Sequence, residues 1–265
     1  MAWNRASGGI MSSQIKPEIR EMVTDSLNEI SVKTGDSSYQ VFSDFLDLTI
    51  SSFSGDERQY SAQIERYRTD GHDMATVKNL LQLHAKALSG LVVGLEKTNE
   101  DVLGAVYEHY STTSDNFAQH FTPGSVSGTM AEIAFPDEDK IRNASPDYPL
   151  LIGDLSGCGS GSLLLESAYR LQNIRRDCPA IYVGWDIDPD CTKMCVINFV
   201  LNGLPGYVFQ GDTLQVQVNR CWKIEPTNLS REKMPVAEIP NGDTAYIEVK
   251  SSTHVDDGTV KFPDR

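Results

Sequence analysis

Pro149-Leu150-Leu151-Ile152-Gly153-Asp154-Leu155-Ser156-Gly157-Cys158-Gly159-Ser160-Gly161 reads as a short buried strand running into a glycine-rich turn. An uninterrupted apolar run bounded by turn residues suits a strand covered on both faces. Behind the turn, Ser162 to Arg176 places Leu163, Leu164, Ala168 and Leu171 on one helix face. Further on, Ala180-Ile181-Tyr182-Val183-Gly184 repeats the strand pattern. Asp188 then offers a cap for free N–H groups, Pro189 fits a first helical position that needs no donor, and Asn202-Gly203 supplies a stop. A third strand, Gly206-Tyr207-Val208-Phe209-Gln210, leads into Gly211-Asp212-Thr213. Strand, helix, strand, helix, strand predicts a parallel sheet with right-handed crossovers. After Leu214 the pattern weakens. Gln215-Val216-Gln217-Val218 and Ala245-Tyr246-Ile247-Glu248-Val249 each read as a strand, and the chain beyond Lys250 reads as a loose tail.

Upstream the period changes to that of a helix. Val41, Phe42, Phe45, Leu46 and Leu48 recur at helical spacing in one segment, and Leu80, Leu81, Leu83, Ala87 and Leu88 in another. Turn chemistry at Thr34 to Ser38, Ser54 to Asp56, Asp70 to Asp73 and Thr98 to Glu100 divides the region into four or five helices. The expected organisation is a disordered start over 1–15, a helical domain over 16–110, a domain built on the parallel sheet over 111–250 and a tail over 251–265. The polar stretch Ser111 to Gln119 marks the joint.

With 265 residues, the chain suffices for one sizeable core or two small ones. Twenty-three basic residues against thirty-seven acidic ones leave a net charge of −14, spread over both halves. Such a surface opposes non-specific adhesion to phosphate backbones, which needs cations to displace counterions. Contact with DNA then calls for local contacts or for a partner subunit carrying the positive charge. The five cysteines, Cys158, Cys178, Cys191, Cys195 and Cys221, are odd in number and lack the spacing of a zinc site, so they read as buried thiols and no metal is expected. No apolar run is long enough to cross a membrane, and the start lacks a signal peptide's apolar stretch, which makes the cytoplasm the expected compartment.

In an open parallel sheet, ligands bind outside the carboxyl ends of the strands. All three turns there contain an acid: Asp154 after the first strand, Asp186 and Asp188 after the second, Asp212 after the third. Gly157, Gly159 and Gly161 let a ligand approach the main chain. Asp186, 25 residues past Gly161, stands where such sheets hold ribose hydroxyls, and Asp212 can accept from an exocyclic amine. Singly, each has a plainer reading: a tight turn for the glycines, a helix cap for Asp188, a turn cap for Asp212. Three acids at successive strand ends are harder to produce by packing alone, and together they point to a nucleoside-containing ligand.

These residues resemble a family. Phe121-Thr122-Pro123-Gly124-Ser125-Val126, the run from Cys158 to Ala168, Gly184 to Cys191, Ile197 to Leu204 and Gly211 to Leu214 are similar, in order, to motifs of the N6-adenine DNA methyltransferases, specifically the modification subunits of type I restriction systems and their phage and plasmid relatives. Asp101 to Tyr110 resembles the last helix of that family's amino-terminal domain. The resemblance implies an α/β fold in which a helical domain precedes a Rossmann-like S-adenosylmethionine-dependent methyltransferase sheet, here incomplete at its carboxyl end. It implies S-adenosylmethionine as cofactor, with Phe121, Thr122 and Pro123 closing over it, Asp154, Gly157, Gly159, Ser160 and Gly161 around its methionine part, Asp186 and Ile187 at the ribose, and Asp212 near the adenine amine. It implies DNA as substrate and a specificity or second catalytic subunit as partner.

Two departures stand out. The first loop is one residue longer than the family's and lacks its proline. The catalytic tetrapeptide, Asn or Asp followed by two prolines and an aromatic, is absent: Pro226, Pro235, Pro240 and Pro263 are each isolated. Asn219 and Trp222 are the candidates for acceptor and stacking ring, Trp222 reading also as a core residue. Two functions follow, methyl transfer to adenine N6 in DNA or a catalytically silent subunit that supports a partner.

Overall fold

The computed structural model describes residues 15–98, 100–111, 136–225 and 234–239. Five helices form the first half: α1 (Pro17–Thr34), α2 (Ser38–Ser54), α3 (Glu57–Thr69), α4 (Met74–Lys97) and α5 (Val102–Ser111). Their ends follow from local chemistry. Ser37, Asp56 and Asp73 accept hydrogen bonds from the first-turn N–H groups of α2, α3 and α4, Pro17 opens α1, and Gly35 and Gly55 close α1 and α2 in the left-handed conformation. The expected first and last segments, 1–15 and 251–265, lie outside the described residues but for Ile15.

The second half begins with α6 (Glu138–Asn143). There follow β1 (Leu150–Asp154), α7 (Ser162–Ile174), β2 (Ala180–Asp186), α8 (Pro189–Asn202), β3 (Gly206–Asp212), β4 (Gln217–Ile224) and β5 (Val236–Glu238). The Arg175 guanidinium, just past α7, donates to the carbonyls of Ile141 and Ala144 at 2.9 and 2.8 Å and fastens α6 there. The strands lie in the order β1-β2-β3-β4-β5. β1, β2 and β3 are parallel, while β4 and β5 are antiparallel additions.

The three strands expected to be parallel are so, and the two that follow make the sheet mixed. The strand read at Gln215 to Val218 is displaced. Thr213 to Val216 is the turn of a hairpin, and the strand starts at Gln217. Four residues cannot carry a crossover to a parallel neighbour, so β4 must return antiparallel. The strand read at Ala245 to Val249 lies outside the described residues.

One hydrophobic cluster runs from Ile19 and Val23 through Phe42, Phe45 and Leu91 to Leu164, Phe199, Val208 and Trp222. α8 explains this continuity. Every residue from Asp190 to Phe199 is buried, because the helix has β2 and β3 on one side and α2 on the other. A helix covered all round shows no amphipathic stripe. Its polar residues therefore need partners within the protein. Asp190 accepts from the Ser43 hydroxyl at 3.0 Å, and Lys193 bridges Asp47 and Asp190 at 2.8 and 3.1 Å. Among the described residues no helix is long and apolar enough to cross a membrane.

α1 and α4 cross closely at Gly90, where an added Cβ would collide with the Met22 carbonyl. Glycine to alanine inside a helix ordinarily stabilises by about 1 kcal/mol. Here the clash is with backbone, and Gly90→Ala is expected to destabilise by about 1–3 kcal/mol as α1 and α4 are pushed apart. Urea unfolding checks the sign, with exposed Ser89→Ala as the neutral control; a stabilised G90A protein would refute the close crossing.

Candidate functional site

Because β1, β2 and β3 are parallel, their carboxyl ends share one edge of the sheet, and the last residues there are Asp154, Asp186 and Asp212. The turn after β1 folds back on β2. The Cys158 N–H donates to the Trp185 carbonyl at 3.0 Å, and the Gly159 N–H to Oδ2 of Asp186 at 2.8 Å. Gly159 and Gly161 have φ of 54° and 86°, which disfavour a side chain, and a Cβ on Gly161 would lie 2.9 Å from the Cys195 sulfur. α7 leaves this turn with Gly161 at its N-cap, a residue with no side chain to cap the first N–H groups, an arrangement that favours negative charge nearby.

Asp186 is the acid at the centre. It is 5% exposed, and its carboxyl pKa is raised, chiefly by burial and further by the charge of Asp188, against the backbone N–H groups that lower it. Oδ1 accepts from the Asp188 N–H at 2.9 Å, Oδ2 from Gly159. The Ile187 N–H also bears on this carboxyl, and of its roughly four acceptor positions at least one stays open to a ligand hydroxyl. Asp188 caps α8 by accepting from the N–H groups of Asp190 and Cys191 at 2.8 and 2.9 Å. That is its plainer reading.

The other acids are placed differently. Asp154 accepts from the N–H and hydroxyl of Ser156, at 3.4 and 3.3 Å, in the open mouth of the turn. Asp212 caps the hairpin: Oδ1 takes the N–H groups of Leu214 and Gln215 at 2.9 and 3.1 Å, and Oδ2 takes the Gln215 side-chain amide at 2.8 Å. Ser160 is 1% exposed, and its hydroxyl is bonded to Asp101 rather than turned outward.

Beside the acids stand exposed apolar residues. Leu155, Ile187 and Leu214, which follow the ends of β1, β2 and β3, are 46%, 60% and 96% exposed. Large apolar side chains gathered at one edge mark a binding surface more often than scattered ones do. Ile187 is legible in the sequence as the neighbour of Asp186. Leu155 and Leu214 are not singled out there, although an apolar residue within two positions of a strand-end acid is the signal that finds them.

Of the remaining candidates, Phe121, Thr122 and Pro123 lie outside the described residues. Asn219 is exposed on β4, with its carbonyl 3.2 Å from the Gln217 amide. Trp222 is 1% exposed, paired with Val208 in mid-strand, and Arg220 lies over its ring at 4.7 Å. That burial leaves Trp222 as a core residue and corrects its alternative reading as a stacking ring, which needs at least one face open to a base. Cys158, Cys191, Cys195 and Cys221 are buried, Cys178 half-buried, and all are free thiols. The Cys158 thiol is pushed up by its hydrogen bond with Cys195 and by burial, which keeps it protonated and unreactive.

No curated protein matches the chain. Among solved structures, the methyltransferase subunit of a type I restriction-modification system from Streptococcus thermophilus is 24% identical over 77% of this chain and 41% of its own, with a TM-score of 0.36. A Listeria monocytogenes protein described as a class I S-adenosylmethionine-dependent methyltransferase is 12% identical over 93% of this chain and 67% of its own, with a TM-score of 0.43. The chain thus spans less than half the length of the first of these. Residues 98–257, more than half of the chain, match the model of the N-6 DNA Methylase family, and they contain the whole turn-and-acid arrangement around Asp186; the chain belongs to that family.

Proposed function

We propose that the chain binds S-adenosylmethionine at the carboxyl ends of β1, β2 and β3, and that it serves the methylation of adenine N6 in DNA. The observation that carries the reading is the junction of Gly159 with Asp186: one buried carboxylate holds the glycine turn and keeps acceptor capacity beyond its backbone bonds. A ribose offers two adjacent hydroxyls to such a carboxylate. The uncapped start of α7 suits the carboxylate of an amino-acid moiety, and exposed Ile187 offers an apolar surface to a purine. Bound there, the cofactor supplies an already activated methyl group, and the protein's own task is to orient donor and acceptor.

The acceptor side supports a second reading beside the first. Trp222 is buried, Asp212 is engaged in its own turn, and the sequence has no adjacent prolines. These features favour a chain that holds the cofactor while a partner subunit supplies the base pocket and the basic surface that a net charge of −14 does not. Tritium transfer from labelled S-adenosylmethionine to mixed-sequence DNA separates the two. We expect no incorporation by the protein alone and incorporation once a cognate partner subunit is added. Robust transfer by the single chain, abolished by Asp212→Ala, would establish the first reading in full and remove the second.

A further inference from the structure

Asp101 stands one residue before α5 and caps it, its Oδ1 accepting the Gly104 N–H at 2.9 Å. The same carboxylate reaches across to the sheet. Oδ2 accepts the hydroxyl of Ser160, 59 residues away, and Oδ1 accepts the side-chain amide of Asn198, from α8, at 2.9 Å. That amide also donates to the Ser160 carbonyl at 2.9 Å, which closes a three-residue ring around the glycine turn. The close approach has a steric condition. A Cβ on Gly104 would collide with Oδ2 of Asp101 and lie 3.0 Å from the Ser160 hydroxyl. Ser160 and Asn198 are 1% and 0% exposed, so the ring is sealed from water.

We infer that Asp101 is a positioning residue for the cofactor turn: through Ser160 and Asn198 it fixes Gly159-Ser160-Gly161 against α5, so that the helical half of the chain sets the shape of the binding loop. The inference rests on the cofactor reading above and goes beyond it, because it assigns a role in that site to a residue outside the sheet. Three donors converge on one acceptor-only group, the Gly104 N–H, the Ser160 hydroxyl and the Asn198 amide, and that amide holds the Ser160 carbonyl as well. Gly159 is held from β2 by Asp186. Asp101 holds the opposite side. Burial pushes the Asp101 carboxyl pKa up, while the bonds from Ser160, Gly104 and Asn198 pull it down. Removal of any one donor therefore loosens the group as well as the turn.

The test compares Asp101→Asn, Ser160→Ala and the double variant with wild type, using the full chain. Three quantities are measured: the melting temperature, amide exchange at Gly159 to Leu163, and the dissociation constant for S-adenosylmethionine by calorimetry. Ser160→Ala leaves the α5 cap intact and so keeps the inference testable if Asp101→Asn folds poorly. Expected are exchange at these amides at least ten-fold faster in both single variants, cofactor binding about ten-fold weaker, and in the double variant a change well short of the product of the two, since the Ser160–Asp101 bond is common to both while the Asn198 bond is lost only with Asp101. Unchanged exchange in both variants would overturn the inference, as would an Asp101→Asn effect of full size in the Ser160→Ala background. Should wild type bind no cofactor, the site reading fails, while the exchange measurements still decide whether Asp101 positions the turn.

Discussion

Asp186→Ala is expected to weaken S-adenosylmethionine binding by about 100-fold. A hydrogen bond to a charged group contributes about 1.5–3 kcal/mol, and two adjacent hydroxyls would share this carboxylate. The substitution also strips the Gly159 and Asp188 N–H groups of their acceptor, so part of the loss arrives through a slackened turn. Asp186→Asn separates the two contributions. It retains one oxygen but turns an NH2 group toward N–H donors, and we expect binding about ten-fold weaker with a smaller drop in melting temperature. Asp154→Asn, whose carboxylate is held among the described residues by Ser156 in the open mouth of the turn, serves as the control, with a change of a few-fold at most. Calorimetry with S-adenosylmethionine and S-adenosylhomocysteine reads the affinities. Unaltered affinity in Asp186→Ala, or no heat from wild type at millimolar ligand, removes Asp186 from the site.

A second large effect belongs to the helical half and to acid. Tyr67, on α3, and His84, on α4, are buried and joined at 2.8 Å between the phenol oxygen and Nε2. The Tyr67 hydroxyl also lies 3.4 Å from Asp44, which pairs with Arg66. Nδ1 of His84 is enclosed and has no partner among the described residues, and Phe45 stacks on the ring at 6.4 Å. Burial, with the nearby Arg66 charge, lowers the His84 pKa from 6.5 to about 4. The unfolded chain therefore takes up a proton below about pH 6.5, whereas the folded one takes it up only near pH 4. Stability is complete above pH 6.5 and falls as the pH drops toward 4. The loss approaches about 3 kcal/mol, at 1.36 kcal/mol per pKa unit. Denaturant titrations at pH 7 and pH 4.5 measure it. The difference should shrink by more than half in His84→Phe; an equal difference in that variant would assign the acid sensitivity to carboxylates instead.

Much of this architecture is legible in the sequence because it is written in local terms. Ser37, Asp56, Asp73 and Asp188 cap the helices they precede, and Gly35, Gly55 and Gly203 end α1, α2 and α8. Asp186 and the glycines stand at strand ends that a two-residue period locates. The direction of β4 is also encoded, in the shortness of Thr213 to Val216, but a reader counting strand and helix in alternation passes over it. The Asp101, Ser160 and Asn198 ring is another matter. Its members sit 59, 38 and 97 residues apart, and no pattern of period 2 or 3.6 brings them together. A capping aspartate, a turn serine and a helix asparagine each have an ordinary local reading, and only packing shows that they share one carboxylate. Trp222 shows the reverse case. Its residue type suits a stacking platform, and its burial, which depends on what covers β4, decides against that.

The bond from Ser43 to Asp190 spans 147 residues. Helices α1 to α4 pack on one another through short connections, and such local contacts cost little loop-closure entropy, so they form first. The side of α2 that carries Ser43 and Asp47, with Leu46 and Ile50 beside them by helical spacing, waits for α8. During synthesis at about 5–20 residues per second, α8 follows α2 by roughly 10–30 s. For that interval the nascent bundle carries a wet apolar flank next to an unpaired Asp47. Until α8 arrives, that uncovered flank is the part of the growing chain most open to apolar association with other chains.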